Sequence, residues 1–432
     1  MAVTHRSIGV AVETLFGSLD TNTNLPSESG LTYISIPCER DPVVLNGEVP
    51  ISERLDTRDG SYFIPPEIDT VLSGGNNVQR RTGTVTIRLD LTTIGSSAAD
   101  YSSNYLGYLL GAFFKTKVSS VTSATVSTIT STNAFQVVSG GPTATDVGTL
   151  ISSELKGRVE YSAITDDADG SSDITISPAF SANFTGTPDI RGTQTWFPGS
   201  RTNTGEREHS LSFRIDGVNF QEFYFGCVGE SLNISLDNGR LMAEMTFQAA
   251  HIKNENGSAT GPIEPVYNNG APPFFRNSYV IVSDSSPTSL TNASTGDKLG
   301  QIQLDCEDFT LSYTNTLTPL GHSESIIAMS DMEITDIDIE LTLTLSTVNT
   351  TLNNDYIRRV VRQVLVGTGP TGDGLGCAIM IPAAQLANDP AKYDVSGNDI
   401  VRQTLTYKQS RFGGDVIETG AGNSPFRLAL GI

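Results

Sequence analysis

Apolar and polar residues alternate along many short segments of the chain, which is the pattern of β-strands with one buried face. In the clearest segment, 84–91, Val85, Ile87, Leu89 and Leu91 alternate with polar residues. The same alternation predicts further strands at 31–37, 210–215, 222–228, 308–313, 334–345, 377–381 and 400–408. An Asn238-Gly239 turn between the runs 231–236 and 240–249 predicts a β-hairpin.

Two segments have apolar residues at helical spacing instead. The first predicted helix, 101–114, has an apolar stripe made of Tyr105, Leu106, Leu109, Leu110 and Phe113. The second, 354–365, has a stripe made of Tyr356, Ile357, Val360, Val361 and Val364.

The order of predicted elements in the first half recurs in the second. Each half has a strand, a long loop, a strand, a helix and then further strands. The loops, 40–82 and 315–331, lack periodicity, and loops of this length usually order against a partner. The repeated order predicts two tandem β domains of one kind.

A change of composition interrupts the first half. No Lys or Arg lies between Lys117 and Lys156, and short Ser-, Thr- and Val-rich strands alternate with Gly and Asp turns. We therefore predict a small β module inserted between the first helix and the strands that follow it. The predicted organisation is a first domain at 1–115 and 201–252, an inserted β module at 116–200, a linker at 253–273 and a second domain at 274–432.

Composition excludes several classes of protein. The chain has 432 residues and a formal net charge of −21, which disfavours binding to nucleic-acid phosphates and to anionic membranes. The 4 cysteines lack paired spacing, which excludes a disulfide-built mini-domain and a zinc ribbon. We find no signal peptide and no apolar run of the ~20 residues that a membrane helix needs, and we expect a protein made in a reducing cytoplasm.

No residue pattern points to catalysis. The four histidines, His5, His209, His251 and His322, are far apart in the sequence and are predicted to lie on the surface. The chain has no GxSxG, HExxH, phosphate-loop or dinucleotide-binding motif. The Asp-rich segment 166–173 lacks the final Glu of a calcium loop and is predicted to be a turn. We predict no enzymatic activity, no cofactor and no metal site.

Several stretches, taken in order along the chain, resemble the tail tube proteins of long-tailed bacteriophages, in the version with two fused tube domains. These stretches are 83–91 followed by 105–114, 226–239 followed by 242–249, 332–343, 401–408 and 426–432. The resemblance covers most of the chain except 116–200. It implies two β-sandwich domains, each flanked by a helix, in subunits that form rings whose inner strands join into one β-barrel.

The resemblance also implies a function and partners. The chain is expected to be a structural virion protein, assembled in the host cytoplasm, whose stacked rings form the tail tube and conduct DNA. Its expected partners are further copies of itself, a tape-measure protein, passing viral DNA without specific binding, and tail terminator and baseplate proteins, with no membrane. Another virion or surface β-sandwich protein (sheath, baseplate, decoration protein or adhesin) stays open, as does a glycan depolymerase.

The polar faces of the alternating strands are predicted to line the channel. The predicted lumen-facing residues are Thr84, Thr86, Arg88, Asp90, Asp237, Glu244, Asp336, Asp338, Glu340, Arg402, Thr404 and Thr406. Carboxylates outnumber arginines in this set, so the wall is expected to repel a duplex within a Debye length of ~8–10 Å, and the arginines are expected to pair with carboxylates.

The apparent duplication predicts a ring of three chains with pseudo-sixfold symmetry. We expect the loops 40–82 and 315–331 to contact neighbouring subunits or rings, and the inserted module to project from the outside of the tube.

Overall fold

The computed structural model describes residues 7–19, 26–37, 44–48, 52–56, 60–64, 82–91, 103–119, 121, 124–131, 134–137, 142–143, 146–155, 158–167, 174–180, 189–199, 206–216, 220–256, 278–284, 301–321, 329–368, 376–390, 393–396, 400–410 and 420–431. The fold of these residues is mainly β, and all of the strand pairs are antiparallel, so the mainly β prediction is confirmed.

Among the residues that the structure describes up to 256 there is one α-helix, together with most of the strands. Before the helix lie β1 (Ser7–Val12), β2 (Ile34–Ser35), β3 (Val44–Glu48), β4 (Ser52–Asp56), β5 (Gly60–Ile64) and β6 (Thr82–Asp90). The helix is α1 (Tyr105–Gly111). After it come β7 (Lys115–Val118), β8 (Ala124–Ser131), β9 (Ala134–Val137), β10 (Leu150–Leu155), β11 (Arg158–Asp167), β12 (Ile174–Ser177), β13 (Asp189–Phe197), β14 (Leu211–Asp216), β15 (Phe220–Asp237), β16 (Arg240–Ala249) and β17 (His251–Asn256).

The rest of the chain contains a second short helix, α2 (Asn353–Arg358). Its strands are β18 (Tyr279–Asp284), β19 (Gln301–Leu304), β20 (Cys306–Gly321), β21 (Met329–Leu345), β22 (Arg362–Thr368), β23 (Cys377–Leu386), β24 (Tyr393–Ser396), β25 (Ile400–Gln409) and β26 (Arg427–Gly431). Three 3-10 segments complete the described elements, at Phe16–Ser18, Thr350–Leu352 and Gly420–Asn423.

One antiparallel sheet, here called the front sheet, runs through both halves of the chain. Its strand order is β3-β6-β16-β15-β20-β21-β25-β24. The two halves meet inside it where β15 pairs with β20, Ser231 opposite Thr314 and Ser235 opposite Thr310. These partners are far apart in the sequence, so the packing of the whole fold, and not a local turn, brings the two strands together.

Two further layers, here called the back layers, cover the apolar side of the front sheet. One has the order β2-β1-β14-β15-β17, and the other has the order β19-β18-β22-β23-β26. A single hydrophobic core lies between the front sheet and these layers. It joins front-sheet residues such as Ile87 and Leu341 to back-layer residues such as Val10, Phe213 and Val364.

Strand β15 belongs to both layers because it bends between them. At Gly226 the backbone has φ +63°, a conformation that favours glycine, and a Cβ there would lie 2.8 Å from the Cβ of Ala250. Three residues on, a Cβ at Gly229 would lie 2.4 Å from the ring of Phe113. The Gly229 N–H also donates to the Ala112 carbonyl at 3.1 Å, so the end of α1 packs directly against the bend.

A buried carboxylate holds the same bend from the other side. Glu13 accepts hydrogen bonds from the N–H groups of Gly17 and Gly226 at 3.0 and 2.9 Å and from the Ser210 hydroxyl at 2.7 Å. Its side chain lies out of water, and this burial raises the pKa of Glu13 to about 7.

The inserted region forms a closed ring of strand pairs in the order β8-β9-β12-β11-β10-β13, with β13 returning to β8. It has an apolar interior of its own, which includes Phe135, Ile164 and Ile176. The second part of β13 leaves this barrel and pairs with β7 and β26, so the inserted barrel is joined to a back layer.

The two helix predictions are partly wrong. Helix α1 ends at Gly111, short of the predicted 114. In the predicted helix 354–365, only α2 is helical, and β22 begins at Arg362. The reason is that β22 is buried on both faces: Val364 packs in the main core, whereas Leu365 packs against the inserted barrel. A strand buried on both faces has no polar alternation to distinguish it from a helix.

The loop predictions are also corrected. The segment 315–331 is not a long loop, because β20 continues to Gly321 and β21 begins at Met329. Near the end of β20, polar residues occupy both faces, as the consecutive Thr314, Asn315 and Thr316 show, so the alternation of polar and apolar residues disappears there. The segment 40–82 contains β3 and the separate hairpin β4–β5.

Candidate functional site

The front sheet has two chemically distinct faces. On β6, the side chains of Val85, Ile87 and Leu89 are at most 1% exposed and pack in the core. Thr84 and Thr86, between them, are half-buried and point the other way. The same alternation continues on β16, β15, β20, β21 and β25, so the sheet presents one continuous side to solvent, here called the polar face.

The strand register places polar side chains of different strands in rows across this face. One row across five strands consists of Thr86, Thr246, Ser231, Thr314 and Asp338. The next consists of Arg88, Glu244, Asn233, Ser312, Glu340 and Lys408. Directly opposite residues of neighbouring strands share a face, so these rows form one surface.

All twelve residues predicted from the sequence to face a channel lie on this polar face. Thr84, Thr86, Arg88 and Asp90 lie on β6, Asp237 on β15, Glu244 on β16, Asp336, Asp338 and Glu340 on β21, and Arg402, Thr404 and Thr406 on β25. The structure therefore brings together residues from four separate parts of the chain. The polar face would line a channel if copies of the chain assembled into a ring with this face inward.

Hydroxyl groups form much of the surface. The Thr86 and Thr246 hydroxyls lie 3.0 Å apart, and those of Thr342 and Thr406 lie 3.5 Å apart. In each such pair the two hydroxyl groups can hydrogen-bond to each other across neighbouring strands, and they carry no charge. They give these two positions of the face a polar but uncharged character.

The basic groups of the face are paired with carboxylates. Both predicted arginines have partners: Arg88 lies 3.3 Å from Asp237, and Arg402 lies 2.7 Å from Glu307. Arg240 approaches Asp90 at 3.4 Å. Each ion pair is partly exposed, so it contributes little to stability, but its carboxylate neutralises the positive charge of the arginine.

Lys408 is the fourth basic group of the described polar face. Its ammonium lies 2.9 Å from Glu340, and this hydrogen bond, together with the charge of Asp338, raises the pKa of Lys408. The sequence prediction missed Lys408 and Arg240, although both continue the alternation of strands it had identified. The prediction also missed Glu307, the partner of Arg402, and the exposed Asp308, which lies opposite Thr344, so carboxylates still outnumber the basic groups of the described face.

Several carboxylates of the polar face form no ion pair among the described residues, and two of them lie close together on one strand. Within the described part of the chain, Asp336 and Asp338 form no ion pair, and both side chains are exposed. They stand two residues apart on β21, so they project from the same face. A phosphate that approaches the polar face meets these two carboxylates and no unpaired cation among the described residues.

The described residues show no arrangement for catalysis. His209 Nε2 lies 3.0 Å from the Tyr108 carbonyl oxygen, and burial lowers the pKa of this histidine. His251 is 4% exposed, so the prediction of a surface histidine is wrong there, whereas His5 and His322 lie outside the described residues. No three His, Cys, Asp or Glu side chains in the described ranges are grouped as metal ligands would be.

Comparison with protein-family models and with curated proteins finds no match for this chain. Among the helices that the structure describes, none has the length and apolar character needed to cross a membrane.

Proposed function

We propose that the chain is a structural virion protein whose copies form rings that stack into the tail tube of a long-tailed bacteriophage. The observation that carries the proposal is the polar face: a broad, continuous sheet surface of hydroxyls, carboxylates and paired cations, backed by an apolar core. A strand in a closed barrel needs this division, since its alternate residues face a packed interior and an aqueous lumen.

Matching strand orders in the two halves support a pair of fused tube-type domains. In the front sheet, β3-β6-β16-β15 corresponds to β20-β21-β25-β24. In the back layers, β2-β1-β14-β15-β17 corresponds to β19-β18-β22-β23-β26. A short helix follows β6 in one half and β21 in the other, and the inserted barrel lies between the first helix and β14.

Three copies of such a chain supply six tube-type domains. The front sheet has eight strands, so three copies would contribute about 24 strands to one barrel. At a strand spacing of about 4.8 Å and a tilt of about 40°, that barrel is about 48 Å across between backbones. This width accommodates side chains and a DNA duplex.

The charges of the polar face suit a conduit. Grip on DNA comes from Lys and Arg that neutralise phosphates, and here the basic groups of the described face are already paired. A duplex would therefore pass without a specific contact. The same channel would hold a tape-measure protein first, and the tube ends would meet terminator and baseplate proteins in the virion.

The inserted barrel fits the outside of such a tube. Its residues Leu150 and Tyr161 pack against Tyr279, Leu365 and Met380 of a back layer. This contact lies on the side of the back layer that faces away from the main core and thus away from the polar face. A barrel in this place would not narrow the channel.

Negative-stain electron microscopy of the purified full-length protein tests the proposal. We expect rings or hollow tubes with threefold or pseudo-sixfold end views. Monomers or compact closed oligomers at concentrations of tens of micromolar would favour another virion β-sandwich protein. Cleavage of polysaccharide by the pure protein would favour a depolymerase.

A further inference from the structure

The two outermost strands of the front sheet are each paired on one side only, as far as the described residues extend. Strand β3 pairs with β6 over 44–48 and 82–86, and β24 pairs with β25 over 393–396 and 400–403. An unpaired strand edge presents backbone N–H and C=O groups that can pair with another chain.

The junction between β15 and β20 shows how such edges can be joined. Five residues of each strand pair there, 231–235 with 310–314. On the polar face the opposed residues are small and uncharged, as in the pair Ser235–Thr310. On the core face, Leu232 and Ile234 are fully buried. This junction joins the last front strand of one half to the first front strand of the other.

By the matching strand orders, β24 occupies in the second half the place that β15 has in the first, and β3 occupies the place of β20. The direction of the strands agrees with this correspondence. Eight antiparallel strands alternate in direction, so β3 and β24 run in opposite directions. A neighbour related by rotation about an axis would therefore offer β3 antiparallel to β24.

The register of the two halves can also be aligned. Ser235 lies two residues before the last pair of the hairpin β15–β16, and Asp394 lies two residues before the last pair of β24–β25. Val44 pairs with Thr86, which pairs with Thr246, six residues after Arg240 in the last pair of the first hairpin. Thr310 pairs with Thr342, which pairs with Thr406, six residues after Ile400 in the last pair of the second hairpin. Val44 in the first half therefore corresponds to Thr310 in the second.

We propose that β24 of one copy pairs with β3 of a second copy in the register of the internal junction, with Asp394 opposite Val44. The inference rests on the proposed ring and adds to it the two strands, their direction and their register. Each ring would then contain two kinds of strand junction of the same geometry, one within a chain and one between chains.

Disulfide cross-linking of the full-length protein tests this register. The variant Val44→Cys with Asp394→Cys is made in a background in which Cys38 and Cys306 are replaced by serine. Directly opposite residues have Cα atoms about 4.5–5.5 Å apart, which a disulfide can bridge. We expect oxidised rings to give covalent dimers and trimers on a denaturing gel.

Two controls keep the result specific. Ser235→Cys with Thr310→Cys tests the internal junction and should give a disulfide within one chain, so the protein stays monomeric on the gel. Val44→Cys with Ser396→Cys shifts the pair by two residues, to about 7–8 Å, where bridging is disfavoured. We expect at least about tenfold less cross-linked product from this shifted pair.

The outcomes separate the inference from the proposed function. Rings that form normally but cross-link no better through the 44/394 pair than through the shifted pair would overturn the inference alone. Absence of rings in the parent protein and in all of the variants would overturn the proposed function and the inference with it. Covalent trimers from the 44/394 pair only would establish the junction.

Discussion

Reversing the charge of Asp338 should create affinity for DNA on a surface that otherwise has little. Asp338 is exposed, lies on the polar face opposite Thr314 of β20 and forms no ion pair among the described residues. Asp338→Lys therefore adds a cation without removing a structural contact from the core. Asp336→Lys with Asp338→Lys doubles the change, whereas Glu340 is left intact because it holds Lys408.

The expected magnitude follows from counterion release. Each lysine that neutralises a phosphate changes the slope of log K against log salt concentration by about −0.9. The single variant should thus steepen the slope by about one for each subunit in contact with the duplex, and the double variant by about two. The wild-type protein should show a slope near zero.

Fluorescence anisotropy of a labelled duplex, titrated with assembled protein at several salt concentrations, measures this slope. Glu154→Lys is the matched control, because it makes the same charge change at an exposed position of the inserted barrel. The free energy of unfolding, measured by thermal melting, should stay within about 0.5 kcal/mol of the wild-type value for all three variants, as is usual for surface substitutions. Equal DNA binding by the Asp338 and Glu154 variants would refute the assignment of the polar face as the DNA-facing wall.

Three further predictions concern the fold that supports this face. Burial raises the pKa of Glu13 from its ordinary value of 4.5 to about 7, so the native state binds more protons than the unfolded state between these pH values. The free energy of unfolding should therefore fall by up to about 1.4 kcal/mol per pH unit as pH rises, and Glu13→Gln should remove this slope in denaturation experiments at pH 5 to 8. Gly229→Ala places a Cβ 2.4 Å from the Phe113 ring and should cost about 1–3 kcal/mol in urea unfolding; an unchanged midpoint would show that α1 moves away freely. The Asn388 side chain donates to the Thr404 carbonyl at 2.6 Å and accepts from the Thr406 N–H at 2.7 Å, so Asn388→Ala should cost about 1–2 kcal/mol in urea unfolding; an unchanged midpoint would contradict this account.

Much of the candidate site was predictable because alternation is a local property. A strand with one wet face must place polar residues at every second position, so Thr84, Arg88, Asp338 and Thr406 could be assigned to a face from their neighbours alone. The prediction missed Lys408 and Arg240 although both lie at the ends of strands that the alternation had identified, at positions that continue the polar face. It could not reveal which charges pair, since the partners of Arg88 and Arg402 lie on other strands.

The sequence alone determined that the chain is mainly β and which residues of β6, β16, β21 and β25 share the polar face. It misassigned residues around Val364 because both faces of β22 are buried, one by the core and one by the inserted barrel. Only the tertiary structure decided that β15 pairs with β20 and that the insert closes into a barrel. Backbone hydrogen bonding is common to all strands, so the choice and register of partners distant in sequence depend on which arrangement buries the apolar faces together.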